Sequence, residues 1–184
     1  MLALKDFFKK WMTSDDRRET QQARMLNGYV PIFSQFGQDV FASDVVQMCV
    51  DVIATECSKL QPKHIRIDSK GMQQLVRGSI NRLFKFAPNE LMTTRDFLEK
   101  IIWLLYTNYN AFIYPMYVLK DDGRGNHTRE YTGFYPLNPT IVTFLQDMSN
   151  QLFIEMAFGN GDKYVLPYSD VIHLRKKFSS NDIM

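Results

Sequence analysis

The chain has 184 residues, of which 45% are hydrophobic and 23% are charged, and its formal net charge is +2. This length suits one ordinary domain or two small ones, and the hydrophobic content excludes a chain that is disordered throughout. Such a small net charge does not by itself indicate a nucleic-acid partner, because those partners require clustered basic charge.

The first 22 residues divide into an amphipathic segment and a polar linker. Charged residues interrupt the segment at 1–12, so it is not a signal peptide. It fits either a membrane-surface anchor or a terminal helix docked on the fold or on a neighbouring chain. Residues 13–22 are polar throughout and predict a linker. The apolar side chains at helical spacing are Leu4, Phe7, Phe8 and Trp11.

The first helix of the folded domain is predicted to begin after Ser43, a favourable N-cap, and to end before Pro62. Cys49 and Cys57 are roughly 12 Å apart along this helix, too far for a disulfide, which predicts two free thiols in a reducing compartment. The apolar stripe that we expect to face the core consists of Val45, Val46, Cys49, Val52, Ile53, Cys57 and Leu60.

The stretch Ile101–Leu119 contains no charged residue and is about as long as a membrane span. Its first part continues a helix for which Thr93 and Asp96 form an approximate capping box. Its second part is rich in β-branched and aromatic residues and predicts a strand, in which Pro115 requires an edge or a bulge. An open strand cannot lie in lipid, so the pattern favours a helix-to-strand junction inside a protein core.

The remaining elements are short. Residues 63–67 alternate as an edge or half-buried strand does, and a second helix ended by Pro88 is predicted from Leu75, Val76, Ile80, Leu83 and Phe84. A turn at 121–126 predicts a hairpin, and further strands are predicted at 140–145, 151–158, 163–166 and 171–177. The predicted fold class is α+β, with N-terminal helices packed on a mostly antiparallel sheet of short strands.

The sequence shows no motif for catalysis, nucleotide binding or metal ligation. His64, His127 and His173 are isolated, and a structural, hydrogen-bonded role is favoured for His173. The acidic residues Asp121, Asp122 and Asp162 are expected in turns.

Two residue pairs could form part of an enzyme site, although no motif supports either: His173 with Asp170, and Asp162 with His127. The basic run at 174–177 fits a solvated strand end better than a nucleic-acid contact.

Four segments, in this order, resemble the portal proteins of tailed phages, of the HK97 type: 43–60, 87–114, 135–142 and 170–175. Each segment is a weak match alone, and the order and spacing give the resemblance its specificity. The residues at the motif positions, to which the resemblance assigns a structural role, are Pro88, Asn89, Thr93, Phe97, Asn110, Ala111, Phe112, Leu137, Pro139, Asp170, Val171 and His173.

The chain departs from the family in two respects. Family members usually have Gly where this chain has Tyr109, which implies either a differently built turn or a divergent branch. Family members are also longer, so the chain is expected to be an N-terminal fragment without stem and clip. The implied division is 1–22, a wing-like α+β domain at 23–177, and the start of the region leading to clip and stem at 178–184.

The resemblance implies a structural component of the portal vertex and no enzyme, cofactor or metal. Portal proteins form a ring, usually of twelve subunits, through which double-stranded DNA is packaged and ejected. The implied partners are further copies of the chain, the terminase large subunit, the capsid protein and a head-tail adaptor, and no membrane. The implied location is the virion, with the host cytoplasm during assembly. The alternatives are a small α+β enzyme or nucleic-acid-binding domain, and an interaction domain of a prophage remnant.

Overall fold

The structure, a computed structural model, describes residues 24–25, 43–121, 123, 125 and 127–176. Three predicted segments lie outside the described residues: the amphipathic segment at 1–12, the linker at 13–22, and the region at 178–184.

Within this part of the chain there are three α-helices, nine β-strands and one 3₁₀ turn. The helices are α1 (Asp44–Cys57), α2 (Ser79–Lys85) and α3 (Thr94–Asn108), and the 3₁₀ turn is Tyr168–Asp170. The strands are β1 (Arg24–Met25), β2 (Ile65–Ile67), β3 (Gln73–Leu75), β4 (Asn110–Asp121), β5 (His127–Leu137), β6 (Ile141–Gln146), β7 (Leu152–Ala157), β8 (Lys163–Pro167) and β9 (Ile172–Arg175).

The strands form three antiparallel sheets. One has the order β1-β6-β7-β8, one is the hairpin β2-β3, and one has the order β5-β4-β9. The predicted hairpin at 121–126 joins β4 to β5, and residues 159–162 join β7 to β8. The helices precede most of the strands, which confirms the predicted α+β class.

Strand β4 is the wall between two buried clusters. Successive side chains of a strand point to opposite faces. Phe112 and Tyr114 therefore enter one cluster and Ala111 and Ile113 enter the other. The sheet core consists of Phe112, Tyr114, Leu137, Val142, Phe144, Ile154, Met156, Leu166 and Val171. The helix core consists of Phe97, Ile101, Leu104, Ala111, Ile113 and Phe134.

The predicted division of the apolar stretch is confirmed. Helix α3 ends at Asn108 and β4 begins at Asn110, and every residue from Phe97 to Tyr117 is at least half-buried. Pro115 lies beyond the part of β4 that pairs with β9 and next to a register shift at Met116, as its missing N–H requires. Among the described residues, no helix combines the length and the apolar character that a membrane crossing needs.

The predicted inward stripe of α1 is wrong in part: Val46, Ile53 and Cys57 are half-buried, whereas the other four predicted residues are exposed. The helix packs on α3 through Val50 and Ala54, while Val45 and Val52 keep 69% and 64% of their surface exposed. Apolar residues occupy two faces of this helix, and the face with small side chains is the one that allows close approach to α3. Both cysteines are free, as predicted, and Cys49 lies on the exposed face.

The second predicted helix begins later than expected. Leu75 belongs to β3, where it pairs with Ile65, and α2 begins at Ser79, after Gly78. The hairpin β2-β3 is exposed along both strands. Asn81 holds its base, because its amide accepts a hydrogen bond from the N–H of His64 at 2.6 Å and donates to the carbonyl oxygens of His64 at 2.8 Å and Val76 at 2.6 Å.

We expect Asn81→Ala to loosen this hairpin selectively. The substitution removes three hydrogen bonds, each of which contributes about 1 kcal/mol, and leaves the two cores intact. Hydrogen exchange should therefore accelerate in β2 and β3 and stay unchanged in β4. Gln74→Ala, which changes an exposed side chain of the same hairpin, is the control and should leave exchange unchanged. Equal protection in both variants would contradict the role of Asn81.

Candidate functional site

The helix-to-strand junction turns at Tyr109, which has φ 57° and ψ −2°. This left-handed conformation commonly ends helices and usually belongs to glycine. Tyrosine adopts it here at a cost of roughly 1–2 kcal/mol. Tyr109 thus has the positive φ that a glycine would readily supply.

Lys176 closes the junction from the end of β9. Its backbone N–H donates to the carbonyl oxygen of Tyr109 at 3.0 Å. Its ammonium nitrogen lies 3.2 Å from the ring centroid of Tyr106 and 5.8 Å from that of Tyr109. Such cation–π contacts contribute about 0.5–1 kcal/mol at exposed sites, which offsets part of the cost at Tyr109. Lys176 is exposed, as the prediction for 174–177 expects, but its head group has an aromatic partner.

His173 joins the start of β4 to the 3₁₀ turn. Its Nε2 lies 2.8 Å from Oδ1 of Asn110, and its Nδ1 lies 3.1 Å from the hydroxyl of Tyr168. With the amide oxygen as acceptor, Nε2 carries the proton and Nδ1 accepts from Tyr168. The Asn110 side chain also donates to the carbonyl oxygen of Asn108 at 3.1 Å. The ring of Phe112 stacks on that of His173, with centroids 4.3 Å apart.

Pro88 and Asn89 fasten strand β5. The N–H of Phe134 donates to the carbonyl oxygen of Pro88 at 2.8 Å, and the amide of Asn89 donates to the carbonyl oxygen of Phe134 at 2.7 Å. Asn89 Oδ1 accepts from the N–H of Leu91 at 2.9 Å. Both residues are buried, so these bonds satisfy the amide and the backbone groups of Phe134.

Thr93 caps α3. The N–H of Asp96 donates to the Thr93 hydroxyl at 3.3 Å, and the N–H of Thr93 donates to the Asp96 carboxylate at 3.1 Å, which confirms the predicted capping box. The Thr93 hydroxyl also donates to the Asp96 carboxylate at 2.7 Å, and this bond, together with the one from the Thr93 N–H, lowers the pKa of Asp96. Phe97, one residue later, contacts the ring of Phe84 edge-on with centroids 5.7 Å apart.

The remaining motif positions are also packed. Leu137 and Val171 belong to the sheet core, and Pro139 is buried. Asp170 pairs with Arg129 at 3.4 Å, and the guanidinium of Arg129 lies 4.5 Å from the ring centroid of Tyr117. The structure thus brings the residues from 88–112 and from 170–173 to the same two cores, while their identity as a family motif remains a prediction.

Two tyrosines near these positions resist ionisation. Burial raises the pKa of Tyr114 to about 12. Burial, together with a hydrogen bond from the hydroxyl to Glu90, raises the pKa of Tyr135. The raised pKa means that the phenol of each tyrosine keeps its proton, so both side chains are packed in the neutral form.

Both residues of the first pair that could form an enzyme site have structural partners, and Asp162 of the second pair accepts from the amide of Asn160 at 2.7 Å. The two ring nitrogens of His173 face Asn110 and Tyr168, and Asp170 faces Arg129. In the described part of the chain, no group of three or more His, Cys, Asp or Glu side chains is placed to hold a metal ion. Sequence reasoning missed Tyr168 and Lys176, although both flank the recognised segment at 170–175.

Substitutions of Tyr109 test the strain of its positive φ. Tyr109→Gly removes the cost of the left-handed conformation. It also removes the Tyr109 ring, which lies 5.8 Å from the Lys176 ammonium nitrogen. Because these two effects oppose each other, the free energy of unfolding of the variant should stay within about 1 kcal/mol of the wild type. Tyr109→Val places a β-branched residue at positive φ and should be less stable than Tyr109→Gly by about 2 kcal/mol. Urea unfolding measures both. Equal stability of the two variants would show that the conformation carries no strain.

A double-mutant cycle tests the bond between Asn110 and His173. Asn110→Ala leaves the half-buried Nε2–H of His173 without its acceptor and should destabilise the fold by about 1–2 kcal/mol. His173→Phe keeps the stacking on Phe112. The double variant should therefore lose about 1 kcal/mol less than the sum of the two single losses. Strict additivity in a thermal or urea cycle would contradict a direct coupling.

A family model described as phage portal protein matches residues 44–183, or 140 of the 184 residues. No curated protein matches the chain. The matched region contains α1 and every later element, together with the buried junction described above. The family is structural and non-enzymatic, and membership implies an oligomeric, capsid-associated role at the portal vertex. The chain belongs to the phage portal protein family.

Proposed function

We propose that this protein is a subunit of an HK97-type portal ring, the channel through which double-stranded DNA is packaged and ejected and to which the tail connects. The match of residues 44–183 to the portal family carries this proposal. In it, residues 23–177 form the outer, wing-like body of the subunit. The partners are further copies of the chain, in a ring of twelve when the subunit has its stem and clip, the terminase large subunit, the capsid protein and a head-tail adaptor.

The distribution of apolar side chains supports an assembly role. Several large apolar residues of the folded domain keep more than 60% of their surface exposed: Val45, Met48, Val52, Leu60, Ile67, Met72, Phe86, Leu91, Leu119 and Met148. Single exposed apolar residues are ordinary, but α1 and the hairpin β2-β3 each carry several together, which is typical of surfaces that become buried on association.

The site geometry gives less support to an enzyme. A cleft of about 370 Å³ lies between α2, α3 and strands β4 and β5. This volume is in the range of small-molecule pockets. Among the described residues that line the cleft, however, the charged ones are Arg129 and Asp170, which pair with each other. An enzyme site needs convergent polar groups that are not already paired with one another and can therefore contact a substrate.

We expect the full-length protein to form rings with a central channel in negative-stain electron microscopy. Class averages should show one dominant rotational symmetry, because head-to-tail contacts that close fix the number of subunits. Co-expression with the terminase large subunit should retain it on the ring in a pull-down. Monomers or open filaments in place of rings would contradict the proposed function.

A further inference from the structure

The outer face of α1 is apolar and acidic. Val45, Met48, Cys49 and Val52 follow the i, i+3, i+4, i+7 spacing of one helix face, and Val45, Met48 and Val52 are 69%, 67% and 64% exposed. The helix contains three acidic residues and no Lys or Arg, a net charge of −3, part of which Lys59 compensates from just beyond the helix by pairing with Glu56 at 2.5 Å; the acidic residues, all exposed, are Asp44, Asp51 and Glu56. We call these seven residues of the helix the acidic surface.

The hairpin β2-β3 has an apolar face of its own. Ile65 and Ile67 point to the same side of β2, and Leu75 of β3 lies opposite Ile65. Their side chains are 40%, 63% and 59% exposed. The alternation continues to Lys63 and Arg77, two residues beyond this pair, and the bond from the Val76 N–H to the His64 carbonyl oxygen at 3.1 Å extends the ladder toward them.

The hairpin is also basic. Residues 63–77 hold four Lys or Arg and one Asp, a net charge of +3. Asp68 is occupied in the turn, where its carboxylate accepts from the N–H groups of Lys70 at 2.9 Å and Met72 at 2.8 Å. We call Lys63, Ile65, Ile67, Leu75 and Arg77 the basic surface.

Within the described part of the chain, the basic surface stays exposed to solvent. A two-stranded hairpin alone is marginally stable in water, and Asn81 anchors this one at its base. The exposed fractions show that the acidic surface of the same chain does not cover it. Two surfaces of opposite charge, each with an apolar centre, thus lie exposed on one molecule.

We propose that the acidic surface of one copy docks on the basic surface of a second copy. The contact joins two different patches, so it is head-to-tail and repeats from copy to copy. The proposal rests on the proposed ring function and names the surfaces that form its contact. The opposite net charges select the partner, and the apolar centres supply the buried area. DNA is the other candidate partner for a basic surface. Its phosphates would pair with Lys63 and Arg77, but a phosphate backbone would leave the exposed isoleucines of the hairpin without an apolar partner.

A charge exchange tests the pairing. Asp51→Lys with Glu56→Lys reverses the sign of the charge on α1, and Lys63→Glu with Arg77→Glu reverses that on the hairpin. Each of these two variants brings like charges together and should weaken self-association of the chain at least about tenfold in sedimentation equilibrium at low salt. The variant with all four substitutions again has surfaces of opposite charge and should recover a large part of the wild-type association. Each variant must keep the wild-type unfolding midpoint. A fourfold variant that associates as weakly as the two parent variants overturns the proposal.

A mixing experiment tests the head-to-tail geometry. Val52→Asp spoils the acidic surface and Ile67→Asp spoils the basic surface, so neither variant should associate alone. A mixture of the two should form a dimer of one copy each, because each variant retains the surface that the other lacks. Met148→Asp, at an apolar residue 83% exposed outside both surfaces, is the control and should associate as the wild type does.

Other outcomes overturn the proposal. A wild-type chain that stays monomeric at every concentration overturns it. So does an Arg77→Glu variant that loses binding to a DNA duplex while its self-association is unchanged, since the basic surface would then serve nucleic acid. Rings of the full-length protein without rescue by the charge exchange refute this contact alone. Rescue without rings leaves the contact standing and refutes the portal ring.

Discussion

The burial of strand β4 on both faces is the constraint on which the rest of the structure depends. Phe112 and Tyr114 fill the sheet core and Ala111 and Ile113 fill the helix core, so one strand supports two packed layers. A shift of its register by one residue would exchange the two sets of side chains. The elements around β4 therefore serve to fix its position: Tyr109 at its start, His173 at its β9 side, and the hairpin with β5.

The fastening of β4 explains the burial of the recognised positions. Asn110 and His173 bond each other, and Pro88 with Asn89 holds β5 at Phe134. These are polar groups in or beside the cores, where a lost partner costs more than on the surface. In the proposed ring, a subunit must keep its shape while neighbouring subunits and DNA exert forces on it. Rigid, satisfied interior bonds with apolar outer faces are consistent with that task.

The sequence predicted the elements whose signals are local. The change from helical to strand pattern placed the junction near Asn110, and Thr93 with Asp96 marked the start of α3. It failed where the outcome depends on tertiary contacts. Val45 and Val52 resemble core residues until α3 is seen to pack on Val50 and Ala54. Asn110, which bonds to His173, lies 63 positions away in the sequence, so no local pattern indicates this bond. Tyr109 gives no sign of a positive φ, which only the surrounding fold imposes.

In the proposed contact, outward apolar faces of this portal-family chain join its copies head to tail. Cysteine cross-linking tests it most directly, because Cys49 lies on the acidic surface and Ile67 on the basic one. In a Cys57→Ser background, Ile67→Cys should give an oxidised ladder of dimers, trimers and larger species on a non-reducing gel. Adding Cys49→Ser should abolish the ladder. Dimers alone, or a ladder that persists without Cys49, would contradict the head-to-tail contact.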